Sequence, residues 1–454
     1  MEKQIVLVIC LLFSNVSVFG QTTVTETSDP VNLKTAIRLG LENSRMLKKA
    51  YLDETSAGFR RNEVRGAGLP QLSAYGDYNH FIDVFPQAVP GGLFGPGVPG
   101  SIDVIALGIP HTLRGGLQIN QLLFNSSFII GLKAAKTSEE FYRVMSAQTE
   151  EEVIYDITMN YLGASQMELQ KENLLANITQ LTGLEKILQA QVDNDIVRKV
   201  DLNRVKVSLA SLESELENLE IDIFQRISYL KLIMGIPIQT ALSLDVSSGF
   251  SVENVKFFEL SDFYPEMRKD IQALKIQKTL LDYEIKNFQA ANHPSLVAFG
   301  DINRNAFSNE FDFLSQGKVW YQGFLVGIKL EVPIFDGFVN RSKVAQSKVR
   351  MSQFEEDMRL AEDAAEMEYT NAQKKYFNSI RTLRALEENL KLSNEVMEET
   401  KLLYNESLSP LSDLLDAESV QRQAQSSYNN QLIQVQIAQV EILKSTGRIK
   451  SLLL

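Results

Sequence analysis

Three histidines, His80, His111 and His293, are the side chains best suited to acid–base or metal chemistry. His80 and His111 flank one predicted loop, so they could lie close together and hold a metal ion. Two exposed histidines at the ends of a loop are the simpler interpretation. No acid, base and nucleophile converge on one site, and no Gly-rich phosphate loop follows a strand and opens a helix. The sequence therefore predicts a chain that is not an enzyme, with no cofactor and no resident metal.

Composition and charge narrow the class of protein further. The 454 residues carry a net charge of −12, which argues against a nucleic-acid partner. Residues 1–20 resemble a secretory signal, with a basic start at Lys3, an apolar run over Ile5–Phe13 and a plausible cut before Gln21. Retention as a membrane anchor is the alternative. The only cysteine, Cys10, lies in this segment, so the mature chain is expected to form no disulfide.

One stretch of the chain occurs twice. Ala67–Asn79 (AGLPQLSAYGDYN) and Ala291–Asn303 (ANHPSLVAFGDIN) share seven identical positions. In both copies a helical pattern ends, a proline follows, and apolar and polar residues begin to alternate. Gly235 and Gly447 also correspond between the halves. The sequence therefore predicts an internal duplication in which each half runs helix, strand, strand, long helix, turn, helix.

Four segments alternate with a period of two, which is typical of strands with one apolar and one polar face. Each is about 10–12 residues long, enough for a tilted strand to cross a bilayer. Hairpins on an ordinary non-membrane domain are the alternative. The first two flank a segment rich in Pro and Gly that predicts a loop. The segments are 70–81, 112–123, 295–307 and 320–332.

The remaining segments predict helices. Leu174, Ile178, Leu181, Leu184 and Leu188 follow one another at the spacing of a coiled-coil seam. No run of 18 apolar, uncharged residues follows the signal segment, so a membrane could be spanned only by strands. Helices are predicted over 31–66, 126–192, 196–234, 265–290, 340–404 and 411–446.

These patterns divide the chain into nine segments. They are a signal peptide, 1–20; an N-terminal periplasmic segment and first helix, 21–66; a first β-hairpin, 67–125, with a Pro/Gly-rich extracellular loop at 82–111; a first long helical pair, 126–235, with a tip turn near 193–200; an irregular mid-chain segment, 236–262; a helix, 263–291; a second β-hairpin, 292–335; a second long helical pair, 336–447, with a tip turn near 405–412; and a C-terminal tail, 448–454.

Four strands cannot close a barrel, and lipid does not tolerate an open sheet edge. Three copies would supply twelve strands, an even number within the known range of barrels. The polar face of the strands would then line a water-filled channel. The predicted fold is an α+β membrane protein with long coiled-coil helices, whose four strands complete a 12-stranded trimeric β-barrel.

Three local motifs and the duplicated order resemble the outer membrane efflux protein family, the TolC-like channels. The motifs are YNESLSPLSDLLDAE over Tyr404–Glu418, VRKVDLNR over Val197–Arg204 and VPIFDG over Val332–Gly337. The resemblance covers about 30–447. It implies a homotrimer in the outer membrane of a Gram-negative bacterium, with most of its mass in the periplasm, where the long helices form a periplasmic α-helical barrel. It also implies docking to a periplasmic adaptor protein and an inner-membrane pump, which together export drugs, metals, metabolites or proteins.

The resemblance also implies roles for particular residues at the helical tips. Asp413 and Asp416 match aspartates that constrict the tunnel, and a threefold ring of carboxylates would attract cations. Asp201 and Tyr404 match a link between the two turns. The alternative for these charges is a solvated helix end or a helix cap.

The tip also departs from the family pattern. Ser409 stands where some members place an arginine, and Val200 occupies a neighbouring polar position. If the two turns are locked by charge, the positive side chains near the turn, Arg198, Lys199 and Arg204, are then the candidate partners. The surface expected to contact the adaptor spans Asn194–Val200 and Ser407–Leu411. Its candidate contact residues are Asn194, Val197, Arg198, Ser407, Ser409 and Pro410.

A secreted periplasmic coiled-coil scaffold without a channel is the alternative function. It shares the helices but does not need two different faces on every strand.

Overall fold

The computed structural model describes residues 30–84, 86–92, 96, 100–106, 108–245, 262–406 and 408–453. The predicted signal segment 1–20, most of the mid-chain segment and the tip candidate Ser407 lie outside these residues. The fold is α+β, with long helices and a four-stranded antiparallel sheet.

Seven α-helices are present in the described residues. Two are much longer than an ordinary globular helix: α3 has 68 residues and α6 has 67. In chain order the helices are α1 Leu33–Asn43, α2 Arg45–Gly66, α3 Ser126–Asp193, α4 Lys199–Met234, α5 Lys269–Ala290, α6 Val339–Asn405 and α7 Leu411–Ser445. Short 3₁₀ turns occupy Pro265–Met267 and Ile449–Leu453. No helix among the described residues is long and apolar enough to cross a membrane.

The strands form one sheet and a small separate ladder. The sheet has the order β1-β4-β5-β6 and is antiparallel throughout. The central β4–β5 pair joins the two repeats, so the outer strands β1 and β6 each have an edge without a partner in the described chain. The strands are β1 Gln71–His80, β2 Pro86–Pro90, β3 Ile102–Ala106, β4 His111–Asn125, β5 Ser295–Ser308 and β6 Tyr321–Glu331.

The register places side chains of one kind on each face of this sheet. Asp77 is paired with Arg114 of β4, and Gln118, four residues further along β4, is paired with Asp301 of β5. Because side chains alternate along a strand, these residues lie on one face together with Asn303. The opposite face is largely apolar and solvent-exposed, and it includes Leu72, Leu117, Ile119, Ile302, Phe324, Val326, Ile328 and Leu330. The predicted alternation of faces is confirmed.

The helices follow the same lateral order as the strands. Next to the sheet, α2 contacts α3, α3 contacts α5 and α5 contacts α6. Further from the sheet, α4 replaces α2 and α7 replaces α5, so the order becomes α4-α3-α7-α6. Among the described residues, these elements therefore form a single layer, four elements wide at each level, whose two outer sides have no neighbour.

Apolar seams hold each helical pair together. In the first pair, leucines of α3 pack against apolar side chains of α4. The seam residues are Leu174, Leu181 and Leu188 of α3 and Val205, Leu212 and Leu219 of α4. A second cluster near mid-height ties the N-terminal segment to both halves and includes Ile37, Ile157, Tyr161, Met234 and Ile433. The Tyr161 hydroxyl donates to the carbonyl oxygens of Val31 at 3.0 Å and Asp245 at 2.9 Å.

The duplication is visible in the backbone as well as in the sequence. Gly235 and Gly447 end the second helix of each pair with left-handed φ values of 72° and 68°. Each also lies against the backbone of another segment, since an added Cβ would collide with the carbonyl oxygen of Asn43 or of Met267. Glycine is therefore required at both positions for conformation and for space.

Two expectations differ from the observed fold. The segment 82–111 contains an antiparallel pair, β2 with β3, where the sequence predicts only a loop. The first helix, predicted over 31–66, is interrupted at Ser44, where ψ is 126°. The N-terminal cap of α1 is the Asn32 side chain, which accepts a hydrogen bond from the Thr35 amide at 2.8 Å.

Replacing Leu188 with Ala should lower the free energy of unfolding by about 2–5 kcal/mol, because it leaves a cavity in the α3–α4 seam. Leu188 is fully buried, whereas its neighbour Ile187 is 58% exposed. Urea titration followed by helical circular dichroism measures the effect. The matched control Ile187→Ala should change stability by about 0.5 kcal/mol or less. Equal losses of stability in Leu188→Ala and Ile187→Ala would contradict the assignment of Leu188 to the seam.

Candidate functional site

The polar face of the sheet carries a compact cluster centred on Asp301, whose side chain is 13% exposed. The Tyr75 hydroxyl donates to Asp301 Oδ2 at 2.8 Å, and Arg114 Nη2 lies 3.3 Å from Oδ1. Asn303 also donates to this carboxylate. Arg114 lies directly opposite Asp77 in the β1–β4 register. Asp77 and Asp301 thus share the polar face, and Arg114 is the cation on the strand between them.

The tip of the molecule is built from the α3–α4 and α6–α7 turns. Asp201 lies in the first turn of α4, where a carboxylate is favoured by the helix dipole, and its side chain is 10% exposed. Arg198 Nε lies 3.3 Å and Arg204 Nη1 4.0 Å from its carboxylate oxygens. Burial, with a contribution from the Asp201 carboxylate, raises the pKa of the Tyr404 hydroxyl. Tyr404 also packs against the apolar cluster that contains Leu202, so the structure brings the two turns together beside Asp201.

Asp413 and Asp416 are exposed on the first turns of α7. The Ser409 hydroxyl donates to Asp413 Oδ2 at 3.0 Å, and the Ser412 hydroxyl contacts Oδ1 at 3.3 Å. These hydroxyls orient the Asp413 carboxylate but place no positive charge beside it. Ser409, which stands in the place of a family arginine, therefore has a defined partner within its own turn.

The tip candidates divide by exposure. Arg198 and Pro410 are exposed, and Val197 and Ser409 are half-buried. Asn194 ends α3 and donates its side-chain amide to the Ala190 carbonyl at 2.7 Å. Ile196 and Leu408, which lie within the two predicted tip segments, are 71% and 70% exposed. They place one exposed apolar side chain in each turn.

A groove of about 690 Å³ runs beside the tip between α4 and α7. Its lining includes Arg204, Asp416 and Glu418. Glu418 is only 4% exposed, and one of its carboxylate oxygens has no hydrogen-bond partner. Burial raises the pKa of the Glu418 carboxyl, and the Arg422 guanidinium offsets part of that rise. No local pattern in the sequence indicates this burial.

The two loop-end histidines are close together. The rings of His80 and His111 stack with centroids 4.2 Å apart, and the Tyr78 hydroxyl lies 2.8 Å from His111 Nδ1. Within the described residues, no group of three or more potential ligands is arranged around a metal position.

An ion-pair network joins the two repeats near mid-height. Lys450 Nζ lies 2.7 Å from Glu150 Oε2, which links the C-terminal 3₁₀ turn to α3. Next to this pair, Glu151 lines a small cavity of about 90 Å³ with Lys269 and Asp270. Burial raises the pKa of the Glu151 carboxyl to about 7, although Lys269 and Lys450 act in the opposite direction.

One family and several solved structures share these features. Residues 265–448, which form the second repeat, match the family described as outer membrane efflux protein. No curated protein matches the chain.

Three solved channels illustrate the shared fold over nearly the whole chain. A structure of CusC is 16% identical, with 91% of each chain covered and a TM-score of 0.73. The CmeC outer membrane channel of Campylobacter jejuni is 16% identical, with 92% of this chain and 86% of that one covered and a TM-score of 0.72. The open MtrE outer membrane channel of Neisseria gonorrhoeae is 18% identical, with 92% and 89% covered and a TM-score of 0.69.

A duplicated chain with a four-stranded sheet on long helical pairs defines the class of TolC-like channel folds. The match of residues 265–448 to the outer membrane efflux protein family agrees with the resemblance that the sequence motifs indicate, and it supports the prediction of an efflux channel.

Glu151 makes the stability of the chain depend on pH. Its pKa of about 7 is higher in the folded chain than the ordinary value of 4.5, so the folded state binds the proton more tightly. The resulting stabilisation is complete below about pH 4.5 and is lost as the pH rises through about 7. Glu151→Gln should keep the neutral form at every pH and flatten the fall in Tm between about pH 5.5 and 8.

The neighbouring exposed Glu152 provides the control, since Glu152→Gln makes the same chemical change one residue away. Thermal unfolding of the three proteins across this pH range measures the effect. A wild-type slope that survives in Glu151→Gln would show that other groups cause it.

Proposed function

We propose that three copies of this chain form the outer membrane duct of a tripartite efflux or secretion system. The observation that carries the proposal is the open sheet, whose β1 and β6 edges are unpaired in the described chain and whose apolar face is exposed. Pairing β1 of one copy with β6 of the next would close twelve strands. Every backbone amide and carbonyl in the lipid would then have a partner.

The two faces of the sheet suit a barrel in a membrane. Leu72 and Ile328 are 71% and 68% exposed on the apolar face, far more than a water-facing sheet would be expected to leave uncovered. The opposite face carries Asp77, Arg114 and Asp301 and would line a water-filled lumen. A periplasmic scaffold without a channel would not need one apolar face and one polar face on this sheet.

The free sides of the helical layer support the same assembly. At one side, α2 exposes Leu52 and Phe59, and at the other, α6 exposes Val349, Leu360 and Met367. In a closed ring, α6 of one copy would cover α2 of the next. The three contacts between neighbouring copies in such a ring would therefore complete both the barrel and a helical tunnel.

The helical tips are the proposed gate and docking surface. Asp413 and Asp416 would form threefold rings that attract cations, and Asp201 with Tyr404 would hold the two turns together. The adaptor would contact the tip around Asn194, Val197, Arg198, Ser407, Ser409 and Pro410. The duct itself is passive, since the inner-membrane pump supplies the energy.

Placing a charge on the lipid face should prevent insertion. Val326 and Leu325 are adjacent in β6, both are exposed, and they lie on opposite faces. Val326→Arg should cost about 2–4 kcal/mol per chain at the bilayer centre, whereas Leu325→Arg would face the lumen. Recovery of alkali-resistant trimer in outer membranes measures the difference. Equal recovery of both variants would refute the barrel.

Removing the tip carboxylates should weaken cation block. In planar bilayers, Asp413→Asn with Asp416→Asn should reduce the affinity of a trivalent cation added on the helical side by about tenfold or more. The control, Asp193→Asn with Asp195→Asn, makes the same charge change at the other turn and should leave the block nearly unchanged. If Asp413→Asn with Asp416→Asn leaves the cation block unchanged, these aspartates do not line the entrance.

A further inference from the structure

Basic side chains concentrate where the helices meet the sheet. Although the whole chain has a net charge of −12, α6 carries four cations before its first acid, Glu355. Six exposed cations near the sheet-proximal ends of α2, α3 and α6 form what we call the basic collar: Arg65, Lys133, Lys136, Arg341, Lys343 and Lys348.

The collar is not neutralised within the chain. Other cations at this level have acidic partners, including Arg61 with Glu139 at 2.6 Å and Arg350 with Glu284 at 2.8 Å. In the part of the chain that the structure describes, no acidic side chain pairs with any of the six collar residues. The collar is therefore a local excess of positive charge.

Exposed apolar side chains lie between the collar and the strands. In the segment that links β6 to α6, Ile334 is 95% exposed and Phe335 74% exposed, and Phe338 packs edge-on against Phe335 with centroids 5.4 Å apart. The first repeat has Phe124 at the corresponding place, on the apolar face of the sheet. Aromatic residues followed by cations are typical of a membrane interface.

We propose that the collar binds the phosphate headgroups of anionic phospholipids in the leaflet that faces the helices. This inference rests on the proposed function, because it requires the strands to span the membrane. Clusters of four or more Lys or Arg beside a membrane-spanning segment attract anionic lipid, with an effect that fades within a Debye length of about 8 Å. Flexible lysine side chains extend that reach toward the headgroups.

The strongest contacts belong to Arg341 and Lys348. They are seven residues apart, so they lie two turns apart on one side of α6. Lys343 lies on the other side and already contacts the Phe288 ring, with Nζ 5.6 Å from its centroid. Lys133 and Lys136 make the equivalent pair on α3, one turn apart. Each repeat therefore supplies one free cation pair to the same interface.

The test uses the full-length trimer in nanodiscs that contain equal amounts of phosphatidylglycerol and phosphatidylcholine. After gentle extraction, native mass spectrometry counts the molecules of each lipid retained per trimer. The wild type should retain phosphatidylglycerol preferentially at about 0.1 M salt and lose the preference at about 0.5 M salt. The variant Lys133→Gln, Lys136→Gln, Arg341→Gln, Lys348→Gln should bind phosphatidylglycerol on the order of tenfold more weakly.

The double variant Arg341→Gln, Lys348→Gln is also tested alone, and its matched control is Lys374→Gln with Arg384→Gln. Lys374 and Arg384 are exposed on α6 roughly 50–65 Å from the sheet, so their loss should not change lipid retention, whereas the Arg341 and Lys348 pair should weaken it. Equal retention by collar and control variants, or a wild type without salt-sensitive preference, would overturn the proposal.

Failure of the collar and failure of the channel are distinguishable in this design. A chain that inserts and conducts but shows no lipid preference refutes the collar alone. A chain that enters no bilayer of either lipid refutes the barrel. The salt dependence of the wild type needs no variant, so the proposal is testable even where a variant does not fold.

Discussion

An unpaired backbone edge in lipid is the constraint on which the proposed assembly depends. Each unsatisfied amide or carbonyl in hydrocarbon costs several kcal/mol, and no water is present to replace the missing partner. A sheet of four strands with edges at β1 and β6 could not meet that condition alone. The helices continue the lateral order of the strands, so in the proposed trimer one rotation would complete both layers.

Much of this architecture can be predicted from the spacing of apolar residues along the sequence. The four strands and the two long helices have strong local patterns, and the repeat of Ala67–Asn79 at Ala291–Asn303 indicates that each half contains the same elements. The apolar and polar faces also follow, because alternation alone assigns Leu72 and Asp77 to opposite sides. These predictions succeed because they depend on neighbours within a few residues.

The features that sequence reasoning missed depend on distant partners. Asp301 meets Tyr75 and Arg114 only because β1, β4 and β5 adopt one particular register. Glu151 has a high pKa because α5 and the C-terminal turn cover it. Nothing near Glu151 in the sequence distinguishes it from the exposed Glu152. Even the break at Ser44 lacks the proline or glycine that usually marks the end of a helix.

The contacts within and between the helical pairs differ in chemistry. Within the first pair, Leu188 and Val205 belong to a continuous apolar seam that excludes water. Above the tip, α3 faces α7 across a cavity of about 170 Å³ lined mostly by carboxamides, and Gln166 donates to Asn430 at 2.6 Å. Neutral amide contacts exchange with water at little net cost, whereas opening an apolar seam costs about 25 cal/mol for each Å² exposed. The apolar cluster of the first pair also includes Leu411 and Leu414 of α7, and Tyr404 packs against it. At the tip the two pairs therefore share one apolar core, and the softer amide contact lies further from the tip. Because Leu202 belongs to this core, its neighbour Asp201 is held at the same place as Tyr404, although the two come from different pairs.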